Sequence, residues 1–144
     1  MKSNIKVLSM CMSIAFNNAF SQTPNQQILK VYAENFKTNK GQAIANLFVK
    51  SESLKKKPSH QLISKIVDGK TVFEFSDLPF GDYAVIVFHD KNANGDLVHS
   101  WGMPSEPLGY SGNWSFSLFT GMPTFEKLRF NYSLKNNSIT LKVN

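Results

Sequence analysis

The sequence predicts an all-β domain, a two-sheet antiparallel β-sandwich of about seven strands. Three observations lead there. Short runs alternate apolar and polar residues, and turn residues interrupt them at intervals of roughly 8–15 residues. One run, Tyr83 to His89, is apolar on both faces, as a strand enclosed on two sides must be. No stretch sustains a helical period, and there are no internal repeats.

Gln22 to Gln27 is polar and contains Pro24, so it reads as a lead-in to the first strand, Ile28 to Phe36. Asn39-Lys40-Gly41 is a turn into a second strand, Ala43 to Val49, and the two are expected to pair as a hairpin. Lys50 to His60 carries Lys55, Lys56 and Lys57 beside Pro58. A basic patch for an anionic surface is one reading of it. Three adjacent lysines without interleaved aromatics fit a plain solvated loop better. Leu62 to Val67 and Thr71 to Phe75 flank Asp68-Gly69, the strongest hairpin signal in the chain. Leu78-Pro79-Phe80-Gly81 then turns into Tyr83 to His89, and Tyr83 is placed to serve as a corner tyrosine tying that turn down. Gly102 to Asn113 holds Pro104, Pro107, Gly109 and Gly112, a density of breakers that predicts a long packed loop. Trp114 to Phe119 is a short strand or a loop whose aromatics plug the core. Lys127 to Leu134 and Ser138 to Val143 close the chain as strands around Asn136-Asn137.

The segment after the central strand, Asp90-Lys91-Asn92-Ala93-Asn94-Gly95-Asp96, places an oxygen-bearing side chain at alternate positions and a glycine at the sixth. That is the first half of a calcium-loop pattern. Asp90, Asn92, Asn94 and the Asp96 carbonyl would supply oxygens. The twelfth position, where a helix-loop-helix site carries glutamate, is Trp101, so Glu106 on the adjoining loop is the candidate to complete a weak site. The competing reading is that these side chains cap a turn through their own backbone.

LPFGDYAVIVFHDKNANGDL, followed by WGMPSEPLGYS and PTFEKLRF, resembles the DUF2141 family of small exported bacterial proteins of unknown function. The ordered run of D-x-N-x-N-G, G-x-P-x-E and P-x-F carries the likeness over roughly the last two-thirds of the chain. The resemblance implies an immunoglobulin-like or prealbumin-like β-sandwich and implies no activity. Family members often carry a further acidic residue after the loop leucine, where this chain has Val98.

Residues 1–21 read as a cleaved signal peptide, leaving 22–144 as one domain. Lys2 and Lys6 give it a positive start, Val7 to Phe16 an apolar stretch too short to span a bilayer, and Ala19-Phe20-Ser21 a small-residue end. Met10 before Cys11 does not suit lipid attachment. Cys11 is the only cysteine, so the mature chain forms no disulfide and must rely on its apolar core. Loss of Lys2 and Lys6 takes the formal charge from +6 to +4, too mild to mark a nucleic-acid binder. The expected location is periplasmic or extracellular, with no transmembrane segment in the mature chain.

No nucleophile elbow, Cys-His pair or phosphate-binding glycine loop is present. His60, His89 and His99 lack ligand spacing for zinc, and His89, on a buried strand, reads as a hydrogen-bonded core residue. It does not cooperate with Asp90, because neighbours on a strand point to opposite faces. Trp101, Tyr110 and Trp114 sit among the breakers and could line a surface for stacking a sugar or peptide. The sequence thus predicts a non-enzymatic exported binding module for an envelope or extracellular protein, peptide or glycan, and not for nucleic acid. The alternative is a metal-assisted hydrolase built on Asp96, His99 and Glu106.

Overall fold

A computed structural model describes residues 27–97, 99–100 and 103–144. The leader and the expectations attached to Val98 and Trp101 lie outside these residues, as does the side chain of His99. The described chain forms a two-sheet β-sandwich, as its alternating runs predict. One sheet holds β1 (Leu29–Glu34), β4 (Lys70–Phe75) and β10 (Ser138–Lys142) in the order β10-β1-β4. The other holds β2 (Gln42–Phe48), β3 (His60–Ser64), β5 (Gly81–Asp90) and β8 (Leu108–Tyr110) in the order β3-β2-β5-β8. On the early part of β5, β9 (Phe130–Tyr132) joins it. A two-residue ladder pairs β6 (His99–Ser100) with β7 (Met103–Pro104).

The main core lies between the sheets. Leu29, Val31 and Ala33 of β1 and Phe73 and Phe75 of β4 face Ala43, Ala45 and Leu47 of β2 and Val85 and Val87 of β5. The remaining face of β5 supplies a second core, in which Ala84 and Ile86 pack with Phe48, Phe125 and Leu128. All of Tyr83 to Asp90 is buried, so the central strand is enclosed on both faces as its composition requires. Tyr83 is the expected corner residue: its hydroxyl donates to the Pro79 carbonyl at 2.7 Å.

Four expectations need correction. First, β1 and β2 are not a hairpin. The chain leaves the first sheet at Asn35, whose φ is 74° and whose side-chain Nδ2 donates to the Val143 carbonyl at 3.0 Å, and enters the second at Gly41. The two strands oppose each other across the core instead of lying side by side. Second, Asp68-Gly69 does make a tight turn, with φ of 51° and 70° and reciprocal Val67–Lys70 amide bonds of 2.9 and 3.0 Å. The ladder ends there, because β3 pairs with β2 and β4 pairs with β1. Third, β1 and β10 run parallel, so the smaller sheet is mixed. Fourth, part of the expected loop 102–113 is strand β8, and the strand expected over Lys127 to Leu134 is shortened to β9, its first two residues belonging to a helical turn, α1 (Phe125–Leu128).

At one edge the sheets meet. Leu108 and Asn144 exchange backbone hydrogen bonds of 3.1 and 3.0 Å. Gly109 belongs there because a Cβ would stand 2.8 Å from the Lys142 carbonyl oxygen. Among the described residues, no helix is long and apolar enough to cross a membrane.

Candidate functional site

The acidic loop folds around one carboxylate. Asp90 ends β5 and is buried. Its Oδ2 accepts from the Gln42 side-chain amide and the Gly95 amide, both at 2.8 Å, and Oδ1 accepts from the Asn94 amide at 3.2 Å. Asn92 and Asn94 repeat the pattern in the next turns: Asn92 Oδ1 accepts from Asn94 N at 3.3 Å, and Asn94 Oδ1 from Asp96 N at 2.9 Å. Glu106 joins from the adjoining loop, its Oε1 accepting from the Lys91 amide at 3.3 Å. These oxygens cap their own backbone. Among the described residues, no group of three or more histidine, cysteine or acidic side chains is arranged to hold a metal ion.

Burial pushes the Asp90 carboxyl up, but donation from Gln42, Gly95, Asn94 and Ala93 outweighs it and leaves the group below its ordinary value. A depressed carboxyl stabilises the fold above its unfolded pKa, and that contribution disappears as pH falls through the folded value. Asp90→Ala is therefore expected to cost about 1–3 kcal/mol near neutrality, the range for a buried charged acceptor. The gap between variant and wild-type melting curves should narrow as pH falls below about 4, where the unfolded carboxyl protonates, and close once the folded carboxyl protonates at its lower value. Because the loop supplies its own donors, metal-stripped protein should melt alike with and without excess calcium. A calcium-dependent rise that Asp90→Ala abolishes would instead establish an ion site.

The histidines divide as their positions suggest. His89 is fully buried, edge-on to Phe36 at 5.4 Å, with Nε2 donating to the Lys40 carbonyl at 2.7 Å. It points to the core and Asp90 to the loop, so they form no acid-base pair. His60 accepts or donates only locally, at 3.2 Å from Ser59 Oγ. Of the alternative hydrolase set, Asp96 is exposed in the loop and Glu106 partly buried beside Lys91.

A cleft of about 680 Å³ lies elsewhere, on the outer face of the five-stranded sheet. Its floor is Ile86 of β5 with Leu108 and Tyr110 of β8. Leu54 and Lys55 from the β2–β3 loop form one wall, and Trp114, Phe116 and Met122 from the segment after β8 form the other. Glu106 and Lys142 stand at the rim. Tyr110 and Trp114 meet edge to face at 4.8 Å and 89°, and Phe116 continues the series 6.4 Å from Trp114. Lys127 Nζ lies 6.0 Å from the centre of the Trp114 ring, at cation–π range. Burial raises the Tyr110 phenol, so it remains a neutral hydroxyl. Two of the three aromatics expected at a stacking surface, Tyr110 and Trp114, thus come together.

The wall is held by a residue that carries no motif. Ser111 is buried, accepts from the Val85 amide at 2.8 Å and donates to the Leu128 carbonyl at 2.6 Å. It ties β5, the end of β8 and α1 at one point. Gly112 follows with φ 73°, where a Cβ would stand 2.6 Å from the Lys127 carbonyl oxygen. Only the clustering of breakers after Tyr110 hinted at so close an approach.

Searches for similar proteins match no curated protein and no solved structure. A family model described as an uncharacterized protein conserved in bacteria does match, over residues 31–140, a span that takes in both sheets, the acidic loop and the walls of the groove. The chain belongs to the DUF2141 family.

Proposed function

We propose that this is an exported, non-enzymatic binding module whose ligand site is the aromatic groove on the outer face of the five-stranded sheet. The observation that carries this reading is the groove itself. It places three aromatic rings and five aliphatic or thioether side chains around a cleft within the size range of small-ligand sites. A lining dominated by aromatic and aliphatic side chains suits a hydrophobic peptide segment or another elongated apolar ligand. Its walls come from two loops anchored to a rigid sheet, the usual placement for recognition. The periplasm or the cell exterior is the compartment that the leader implies.

The test is titration with 1-anilinonaphthalene-8-sulfonate, whose fluorescence rises in apolar clefts, followed by displacement with hydrophobic peptides. Saturable binding by the folded protein is expected. Phe116→Ser, at a half-exposed position on the wall, should weaken it about tenfold without lowering the melting temperature. Trp114→Ala should weaken it further. Binding that is absent, or untouched by Phe116→Ser, would rule out the groove as the site.

A further inference from the structure

Beyond the groove, the segment after Trp114 ends in a tip with an unusual surface. Leu118 and Phe119 are 90% and 101% exposed, and Met122 beside them is 59% exposed. Scattered apolar residues on a surface are ordinary, but adjacent large ones at full exposure mark a contact surface.

The tip is also closed upon itself. The Gly121 amide donates to the Ser117 carbonyl at 3.2 Å. Thr120 Oγ1 accepts from the Ser117 amide at 2.8 Å and donates to the Ser115 carbonyl at 2.9 Å, while Ser117 Oγ accepts from the Thr120 amide at 3.1 Å. Lys127 Nζ reaches across to the carbonyls of Thr120 and Met122, at 2.6 and 3.1 Å. The backbone groups of Ser115, Ser117, Thr120, Gly121 and Met122 that are paired within the tip lower the cost of bringing it against an apolar phase. The polar side chains turn inward to serve the backbone, and Leu118 and Phe119 are what remains outside.

Next to this tip lies the lysine loop. Leu54 and Lys55 line the same groove as Phe116 and Met122, and Lys50 ties the base of the loop to α1 through Glu126 at 3.3 Å. Lys55, Lys56 and Lys57 are exposed, and among the described residues no acidic side chain pairs with any of them. In the sequence these lysines have no interleaved aromatics. In the fold the aromatics arrive from a segment some sixty residues later.

The geometry points to a membrane-docking face: Leu118 and Phe119 enter the acyl boundary of an anionic phospholipid bilayer, and Lys55, Lys56 and Lys57 meet its phosphates. The arrangement is that of an interfacial anchor, an apolar tip beside a basic collar. It stands independently of what fills the groove, since none of its five residues other than Lys55 touches the cleft.

The test is co-flotation of the purified protein with vesicles of phosphatidylcholine containing phosphatidylglycerol, and with pure phosphatidylcholine. Retention is expected on the anionic vesicles, falling as salt is raised. The variant carrying Leu118→Ser and Phe119→Ser should lose at least about tenfold in partition. Replacing Lys55, Lys56 and Lys57 with glutamine should cost about fivefold per lysine and remove the preference for phosphatidylglycerol. All five positions are exposed, so melting temperatures should not change. Retention without the serine-variant loss would reduce the effect to charge adsorption and overturn the proposal. So would equal retention on both vesicle types, no retention, or self-association through Leu118 and Phe119 in the absence of vesicles.

Discussion

Truncating Phe88 to alanine is expected to lower the stability of the domain by about 3–5 kcal/mol, the largest single effect anticipated here. Phe88 is 2% exposed and sits on the outer face of β5, the strand with which β2, β8 and β9 all pair. In register it lies between Ile44 of β2, which is fully buried, and Leu108 of β8. Neither neighbour can move in to fill the void, because β2 is held on its far side by β3 and Leu108 is fixed to Asn144 by two backbone bonds. A site that cannot collapse keeps its cavity, and the cavity term adds to the lost transfer energy. Denaturant titration measures the cost through the midpoint at constant slope. A loss below about 1 kcal/mol, the level of an ordinary substitution, would mean that β5 is not central to the stability of the fold.

What could be read in advance depended on whether a feature is local. The enclosed strand was legible because Tyr83 to His89 is apolar on both faces, a property of seven consecutive residues. The Asp68-Gly69 turn was legible for the same reason, since positive φ at both positions selects those residue types. How far a ladder continues beyond a turn is not local. Val67 and Lys70 pair, and one step later the chain divides between two sheets, because Ile66 and Phe73 both turn into the main core from different sides. Strands β1 and β2 illustrate the same limit. Each buries a face in the main core, and that pattern is identical whether two strands are neighbours or face each other across a core. Strand β8 was hidden for another reason. Gly109 counts as a breaker in a sequence, yet the close approach of Lys142 requires a residue without a side chain there.

The candidate site was legible in part. Tyr110 and Trp114 announce themselves as aromatics in a breaker-rich stretch, whereas Leu54 and Ile86 belong to segments that give no sign of meeting them. The acidic loop was recognisable from its spacing, but spacing alone does not say whether oxygens turn toward an ion or toward amides. The Gln42 side chain, 48 residues away, helps to fix Asp90 where it is.

Ser111→Ala should be the second large effect, about 2–4 kcal/mol, although the substitution removes a single oxygen. The hydroxyl replaces backbone pairing where β8 ends: it accepts from Val85 N, on a strand residue of the main core, and donates to Leu128 O, on a residue of the second. Alanine leaves one donor and one acceptor buried without partners, and Ser111, 3% exposed, admits little solvent to satisfy them. The Ser111 amide would still donate to the Val85 carbonyl at 3.0 Å, so the strand itself should persist. What loosens is the attachment of the segment leading to α1, which carries Trp114 and Phe116 and hence one wall of the groove. Hydrogen exchange should therefore show the Val85 amide exposed earlier than those of Ala45 and Val87 on the same sheet, with dye binding in the groove weakened in parallel. Ser115→Ala, at an exposed position a few residues on, is the control and should stay within about 0.5 kcal/mol. If Ser111→Ala proves as mild as that control, the wall is held by the apolar contacts of Phe125 and Leu128 alone, and the serine is not its anchor.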